Sequence, residues 1–320
     1  MIYEITATEE HERLDVFMSE QLEITRTQVQ KLINSRHIKS LDKFLLKPSH
    51  KVFPGMKFLA EIPESLNLTY LKADPVDFDV VYEDPDIIVV NKPAGLVVHP
   101  APGNWRNTLV NGLVYRYPEM KALQNWLRPG IVHRLDGGTS GLMVVARTQK
   151  ATMELQAMFK NRKVGKHYIA LSQGVPERRE GILSGPIDRD PHNMLRRIIS
   201  ENGKPALTGY KVFWSMNGIS LVECELFTGR THQIRVHMSA LGCPLVGDTM
   251  YGARDEEIGR VYLHSWKLEF SHPVSGEDMK FRLPVTPDFT DYIKKVREAG
   301  QSEAETTEEA LKDSSEIFDL

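Results

Sequence analysis

A chain of 320 residues, 41% hydrophobic and 26% charged, is long enough for one large domain or two unequal ones, and this ordinary composition excludes wholesale disorder and collagen-like or coiled-coil architecture. Two cysteines, Cys224 and Cys243, are too few for a disulfide framework or a structural zinc site, so they are expected reduced and packed. The net charge of −3 averages unlike segments: residues 301–320 hold seven acids against Lys312, a net of −6, which leaves +3 on the rest.

The N-terminus runs from Met1 through Ile5 into Glu9, Glu10 and Glu12 without an apolar stretch of signal-peptide length. Nowhere does an apolar run approach the roughly 18 residues that cross a membrane, so a cytoplasmic location and no membrane partner are expected. Leu14, Phe17 and Met18 are spaced for one helix face, and Thr25 with Gln28 forms a capping-box pattern before Val29, Leu32 and Ile33, which predicts a second short helix. Short apolar runs at Ile38, Phe44–Leu46, Val52 and Phe58–Ile62, broken by Asp42, Pro48 and Pro54-Gly55, predict small strands and turns. Residues 24–57 carry eight Lys or Arg and one acid, Asp42. A solvated face is the bland explanation; the near absence of acids favours a phosphate-binding surface instead.

Residues 64–76 lack a sustained period and predict a linker. Beyond it, Val80-Val81-Tyr82 and Ile87–Val90 are β-branched runs around Glu83-Asp84-Pro85-Asp86, which predicts strand, turn, strand. Leu142–Ala146 and Lys166–Ala170 predict further strands, and Thr152–Phe159 a helix with Met153, Ala157 and Phe159 inward. Lys211–Trp214 and Ile219–Leu226 flank Asn217-Gly218, a strong hairpin pattern. Ile234, Met238 and Leu241 repeat at helical spacing, closed by Gly242. Strands thus interleave with few helices, so the expected class is α+β. The layout is a small N-terminal unit (residues 1–63) of two helices and a small sheet, and a large domain (77–297) with a mixed, mostly antiparallel sheet. Residues 298–320 follow as an acidic, disordered tail.

The motifs of common cofactor chemistry are missing: no G-x-x-x-x-G-K-[ST] loop, no G-x-G-x-x-G and no G-x-S-x-G elbow. His232 and His237 lie five apart with no carboxylate between them, so neither metal nor cofactor is expected. Two dense polar segments stand out. In His133–Leu142, three glycines in five residues form a tight turn before a strand, with Asp136 beside it as a nucleophile or base, or as a structural partner of Arg134. In Gly229–Arg235, cations and amide groups open the predicted helix, either solvated or aimed at an anion.

Taken together and in order, these segments resemble the RluA/RluD family of RNA pseudouridine synthases. His133-Arg134-Leu135-Asp136-Gly137-Gly138-Thr139-Ser140-Gly141-Leu142 is similar to the family's H-R-L-D-x-x-[ST]-[ST]-G-L signature, and Asn91–Pro100 to its N-K-P-x-G-x-x-x-H strand-turn. Lys166–Ala170 resembles its K-x-Y-x-A strand and Gly229–His237 its G-R-x-H-Q-I-R-x-H segment; Gly247-Asp248, Leu263-His264 and Leu283-Pro284 also fit. The first sixty residues, with Arg13-Leu14-Asp15 and then Thr25-Arg26, resemble the S-four-type RNA-binding domain, although Ser40-Leu41-Asp42 stands where relatives have an Asn-Gly turn.

The resemblance implies that Asp136 is the catalytic aspartate, that Tyr168 packs on the flipped base, and that Arg230 pairs with the aspartate. It implies that Arg134 helps displace the base, with His133 and Thr139 of the same signature as substrate contacts, and that Arg26, Lys31, Arg36 and Lys39 bind RNA. The implied reaction breaks the bond from ribose to a ring nitrogen of uridine, turns the uracil and rejoins the sugar to a ring carbon, with no cofactor. The target must leave its stack, since its ring cannot turn inside it. Large-subunit ribosomal RNA is the expected substrate, with assembling ribosomal particles as a partner. Transfer RNA, an inactive RNA-binding assembly factor, and a hydrolase using Asp136 with a second carboxylate are the alternatives.

Overall fold

The computed structural model describes residues 2–22, 24, 26–42, 46–61, 71–101, 104–123, 128–253 and 259–300. The chain divides into two compact units, Met1–Lys72 with Lys121–Pro129, and Ala73–Met120 with Gly130–Leu320.

The first unit contains β1 (Ile2–Thr6), α1 (Leu14–Gln21), α2 (Arg26–Asn34), β2 (Ile38–Ser40) and β3 (Lys57–Glu61). Its sheet has the order β1-β3-β2, all antiparallel. Leu14, Phe17 and Met18 of α1 pack on Val29, Leu32 and Ile33 of α2 and on Phe58, as the two apolar stripes predict. Strand β1 was not foreseen, because four of its five residues are exposed and so no buried face marks it in the pattern. Thr25 of the expected capping box, Phe44 and Leu45 of the expected strand, most of the expected linker (64–70) and the acidic tail from residue 301 lie outside the described residues.

The second unit contains β4 (Asp79–Glu83), β5 (Ile87–Lys92), α3 (Leu109–Arg116), β6 (Ser140–Ala146), α4 (Gln149–Lys160), β7 (Gly165–Gln173), β8 (Glu180–Ser184), β9 (Ile187–Arg189) and β10 (Arg197–Ile199). It continues with β11 (Leu207–Met216), β12 (Ile219–Leu226), α5 (Gln233–Ala240), β13 (Leu263–Ser271), β14 (Asp278–Arg282) and α6 (Pro287–Gly300). The main sheet has the order β4-β5-β6-β13-β7-β12-β11-β8, with β14 also on β13. Only β6 with β13 is parallel, so the sheet is mixed and mostly antiparallel, as expected. Strands β9 and β10 form a separate hairpin.

Asn217 and Gly218 take φ of 50° and 71° between β11 and β12, the left-handed pair that a two-residue hairpin with the right twist requires. At Gly141 (φ 110°) an added Cβ would run into the Ser265 backbone, so glycine is what lets β6 lie against β13 directly after the polar loop. Helix α6 covers one part of the sheet through Phe289 and Ile293 on Ile169, Leu171 and Leu221, and α4 covers another through Ala151 and Leu155 on Leu142 and Val144. The inward face of α4 differs from expectation. Thr148 caps the helix by accepting the Ala151 N–H, and Ala151 and Leu155 point in; Met153, two residues from each, falls on the opposite side and is 62% exposed, with Ala157 also exposed. Both cysteines are free and buried.

Candidate active site

A cavity of about 600 Å³ in the second unit is lined by His133, Arg134, Asp136, Thr139, Tyr168 and Arg230, so the six catalytic and substrate-contact residues expected from sequence converge there. Three pieces of backbone build it. The end of β5 supplies Lys92, fully buried, whose Nζ donates to the carbonyls of Pro93 (2.8 Å), Leu96 (2.7 Å) and Gly137 (3.2 Å). Gly95 N–H also donates to Gly137 O (2.8 Å), so the Asn91–Leu96 segment grips the loop that carries Asp136. Burial pushes the Lys92 pKa down to about 7, with Asp136 opposing and Arg260 adding; three carbonyl acceptors take up three N–H donors, a count that only the charged ammonium supplies. The loop is closed by Thr139 N–H donating to Asp136 O (3.1 Å).

Register supplies the second piece. Tyr168 of β7 lies opposite Ser265 of β13, and Ser265 opposite Gly141 of β6, which brings the buried phenol to the Asp136 loop. Burial raises the Tyr168 pKa, a hydrogen bond with Ser265 opposing and the Asp136 charge adding, so the phenol stays protonated and can donate or relay a proton but not act as a phenolate.

The third piece is the start of α5. Its N-cap, His232, is left-handed (φ 59°, ψ 20°), and from there His232 and Arg235, three apart, both reach Asp136: His232 Nε2 at 3.8 Å and Arg235 Nη1 at 3.7 Å from Oδ2. Arg235 is also bidentate to buried Asp248 through Nε (2.7 Å) and Nη2 (2.8 Å). Burial works against its charge, but Asp248 and Asp136 more than restore it and raise its pKa. Gln233 and His237 of the same segment serve the scaffold instead: Gln233 bonds Leu207 O and both Thr208 and Thr228, and His237 bonds Thr208 and Gly185 O.

The pairing expected of Arg230 is made by Arg235. Arg230 Nε donates to Pro205 O (3.1 Å) while its side chain remains on the cavity wall. His133 does not project into the substrate space as a free group: its Nε2 accepts the Val144 N–H (3.0 Å), its ring stacks on Phe159 (4.5 Å), and burial drives its pKa down to about 3, so it is neutral. Thr139 is buried and shapes the turn. Arg134 is exposed at the rim beside Lys160, Arg162 and Lys166, a run of cations suited to phosphates. Lys166 is partly desolvated, which lowers its pKa to about 8, with Arg162 adding. Sequence reasoning missed Arg235, His232 and Lys92 as site residues; the spacing of His232 and Arg235 on one helix face was the available clue.

In the first unit, Lys31, Arg36 and Lys39 are exposed, whereas Arg26 Nη2 is 3.2 Å from Asp15 Oδ2. Among the described residues Asp84, Asp86 and His272 are close enough for a metal. Their atoms are already used: Asp84 accepts from the N–H groups of Asp86 and Ile87, from Tyr82 and from His272, which closes the β4–β5 turn. No helix among the described residues is long and apolar enough to cross a membrane.

A carboxylate backed by a guanidinium and an imidazole, under a protonated phenol and inside a cationic rim, defines an enzyme whose substrate carries negative charge around its reacting group. Residues 86–240 match the family described as RNA pseudouridylate synthase. An uncharacterized RNA pseudouridine synthase of Bacillus subtilis is 40% identical over 301 residues, 93% of this chain and 99% of its own. The ribosomal large subunit pseudouridine synthase D of Neisseria meningitidis serogroup A is 42% identical over 282 residues, 83% of this chain and 74% of its own. The solved structure of human RNA pseudouridylate synthase domain containing 1 has a TM-score of 0.56 and 29% identity, covering 70% of this chain and 96% of that one. The chain belongs to the RNA pseudouridine synthases, isomerases that carry uridine to its C-glycoside within RNA.

Proposed function

We propose that this enzyme isomerises uridines of large-subunit ribosomal RNA in the cytoplasm, with Asp136 as the reacting carboxylate. The observation that carries the assignment is the convergence of Arg235, His232 and Tyr168 on Asp136 at the base of the cavity. The ribosomal substrate rests on relatives such as the ribosomal large subunit pseudouridine synthases D of Neisseria and Nitrosomonas, the latter 36% identical over 295 residues.

In the proposed reaction the uracil leaves its stack, Arg134 at the rim occupies the gap, and the base enters the cavity against Tyr168. Unstacking costs a few kcal/mol, which stacking inside the pocket offsets. The bond from ribose C1′ to N1 breaks, the ring turns, and C1′ bonds to C5; the C5 hydrogen leaves as a proton and N1 gains one, so the net change is an isomerisation. Asp136, with the Arg235 guanidinium 3.7 Å away, acts on the sugar either as a nucleophile or by removing its neighbouring proton. Tyr168, protonated, is placed to relay a proton. Arg230 is a wall residue rather than the partner of Asp136.

We further propose that residues 1–63 form an S-four-type RNA-binding domain, followed by a linker (64–76) and the catalytic domain (77–297), and that Lys31, Arg36 and Lys39 contact phosphates while Arg26 serves mainly Asp15. The test is tritium release from uridine labelled at C5 in an unmodified large-subunit ribosomal RNA transcript. Release by the wild type and not by Asp136→Asn is expected. Release from transfer RNA alone would move the substrate; release by a deamidation-free Asp136→Asn would remove the aspartate from the reaction.

A further inference from the structure

A line of hydrogen bonds leads away from His232, beside Asp136, that the reaction above does not use. The Arg197 N–H of β10 donates to Tyr251 Oη at 2.8 Å, and Tyr251 Oη lies 2.9 Å from His232 Nδ1. With the phenol accepting the backbone N–H and giving its own O–H to Nδ1, the ring hydrogen of His232 would sit on Nε2. Nε2 is the atom that faces Asp136 Oδ2, at 3.8 Å, a separation that a small side-chain movement in the substrate complex converts into a hydrogen bond. The phenol is itself fixed: it is 4% exposed, with the guanidinium groups of Arg235 and Arg196 over its ring at 4.9 and 5.6 Å. The backbone of His232 lies in the left-handed region that favours glycine, yet the position carries an imidazole with each nitrogen directed at a defined partner.

We propose that His232 is a positioning residue for Asp136, presenting an Nε2–H whose tautomer is set by Tyr251 from the other side of the ring. The inference rests on Asp136 being the reacting carboxylate. A charged imidazole would need no such device, since both its nitrogens donate; a neutral one does, because the other tautomer would turn a lone pair toward the carboxylate. The groups facing the ring are Asp136 from the loop before β6, Arg235 from α5, Arg197 from β10, and Asp248 and Tyr251 from the turn after α5. Burial lowers the His232 pKa, Asp136 opposes, and Arg235 and Arg197 add to the lowering, so the ring is neutral at neutral pH.

The experiment measures kcat and KM for RNA across pH 5 to 9 in the wild type, Tyr251→Phe, His232→Ala and His232→Gln, with Asp136→Asn as reference. Partners that orient a metal-bound imidazole are worth about 10- to 100-fold, and by the same orienting role Tyr251→Phe is expected to lose about tenfold in kcat at neutral pH with KM little changed. In that variant kcat should rise toward the wild type as pH falls through the imidazole pKa, because the protonated ring presents Nε2–H again; the wild type should show no such rise. His232→Gln, whose amide can donate near the Nε2 position, should recover much of what His232→Ala loses. A Tyr251→Phe profile parallel to the wild type, or a Gln variant no better than Ala, overturns the assignment while a silent Asp136→Asn leaves the catalytic carboxylate standing. Turnover by Asp136→Asn overturns both.

Discussion

The tripeptide Arg-Leu-Asp occurs twice in this chain, as Arg13-Leu14-Asp15 in the first unit and Arg134-Leu135-Asp136 in the second, and the two aspartates have opposite fates. Both leucines are buried and anchor their segments. The Asp15 side chain is fully buried and saturated: Arg13 reaches it through Nε (3.0 Å) and Nη2 (2.9 Å), Gln30 donates at 2.7 Å, and Arg26 adds Nη2 at 3.2 Å. The Asp136 side chain is 19% exposed, the Arg235 guanidinium and the His232 imidazole stand off at 3.7 and 3.8 Å, and Arg134, the counterpart of Arg13, turns to the rim. A carboxylate with every lone pair taken is a structural pin, and one whose donors stand off with room at its oxygens can react. The tripeptide does not distinguish them; the supply of donors around it does.

The largest effect expected from this contrast is on turnover. Asp136→Asn should reduce tritium release by at least about 10³-fold while moving the melting temperature little, because among the described residues the side-chain partners of that carboxylate stand at 3.7 and 3.8 Å. Next is Arg235→Met, which strips the bidentate partner from buried Asp248 as well as the neighbour of Asp136. Removing one member of a buried pair typically costs about 3–5 kcal/mol, read by denaturant unfolding, and turnover should fall with it. Arg230→Met loses one bond to Pro205 O at the wall and should keep most of its stability; a larger loss there than at Arg235 would reverse the roles assigned to the two arginines.

Much of this site was legible in the sequence, and what was not has a physical reason. The glycine-rich turn before a strand marked the Asp136 loop as a dense polar segment, but it was the ordered motif resemblance, not the local pattern, that singled out Asp136 and Tyr168. Which arginine of Gly229–Arg235 meets Asp136 could not be read, because it depends on the left-handed turn at His232 that swings Arg235 inward. The role of Lys92 was hidden for a similar reason: its acceptors are backbone carbonyls, one of them 45 residues away at Gly137. The fold class and the Asn217-Gly218 hairpin followed from strand patterns, whereas β1 has no buried residues to mark it, and the Met153–Ala157 spacing picks the wrong stripe of α4, where Ala151 and Leu155 are the buried pair.

A smaller effect belongs to Asp15. Arg13 foremost, with burial opposing and Gln30 and Arg26 adding, holds its carboxyl well below the usual carboxylate range. A depressed folded-state pKa contributes stability that is complete above the unfolded value near 3.9 and is lost as pH falls toward the folded value. The first unit should therefore weaken from about pH 4 downward, followed by hydrogen exchange of α1 and α2, and Asp15→Ala should cost about 1–3 kcal/mol at neutral pH and flatten that dependence. An unchanged acid profile in Asp15→Ala would show that the pin does not govern the unit's acid stability.

The smallest effect separates the two uses of Arg26. Its side chain is 52% exposed, and Asp15 keeps both Arg13 bonds and Gln30 without it, so Arg26→Ala should cost less than about 1 kcal/mol of unfolding free energy. What decides its role is the salt dependence of RNA binding, whose slope falls by about 1 for each phosphate contact removed. Lys31→Ala, Arg36→Ala and Lys39→Ala should each lower that slope, since all three side chains are exposed. Arg26→Ala should leave it nearly unchanged, because a guanidinium already turned toward a buried carboxylate has less charge to offer a phosphate. If the slope drops as much for Arg26 as for Lys31, then the first Arg-Leu-Asp is not a closed structural pin but shares its cation with the RNA, and the contrast with Asp136 becomes one of degree.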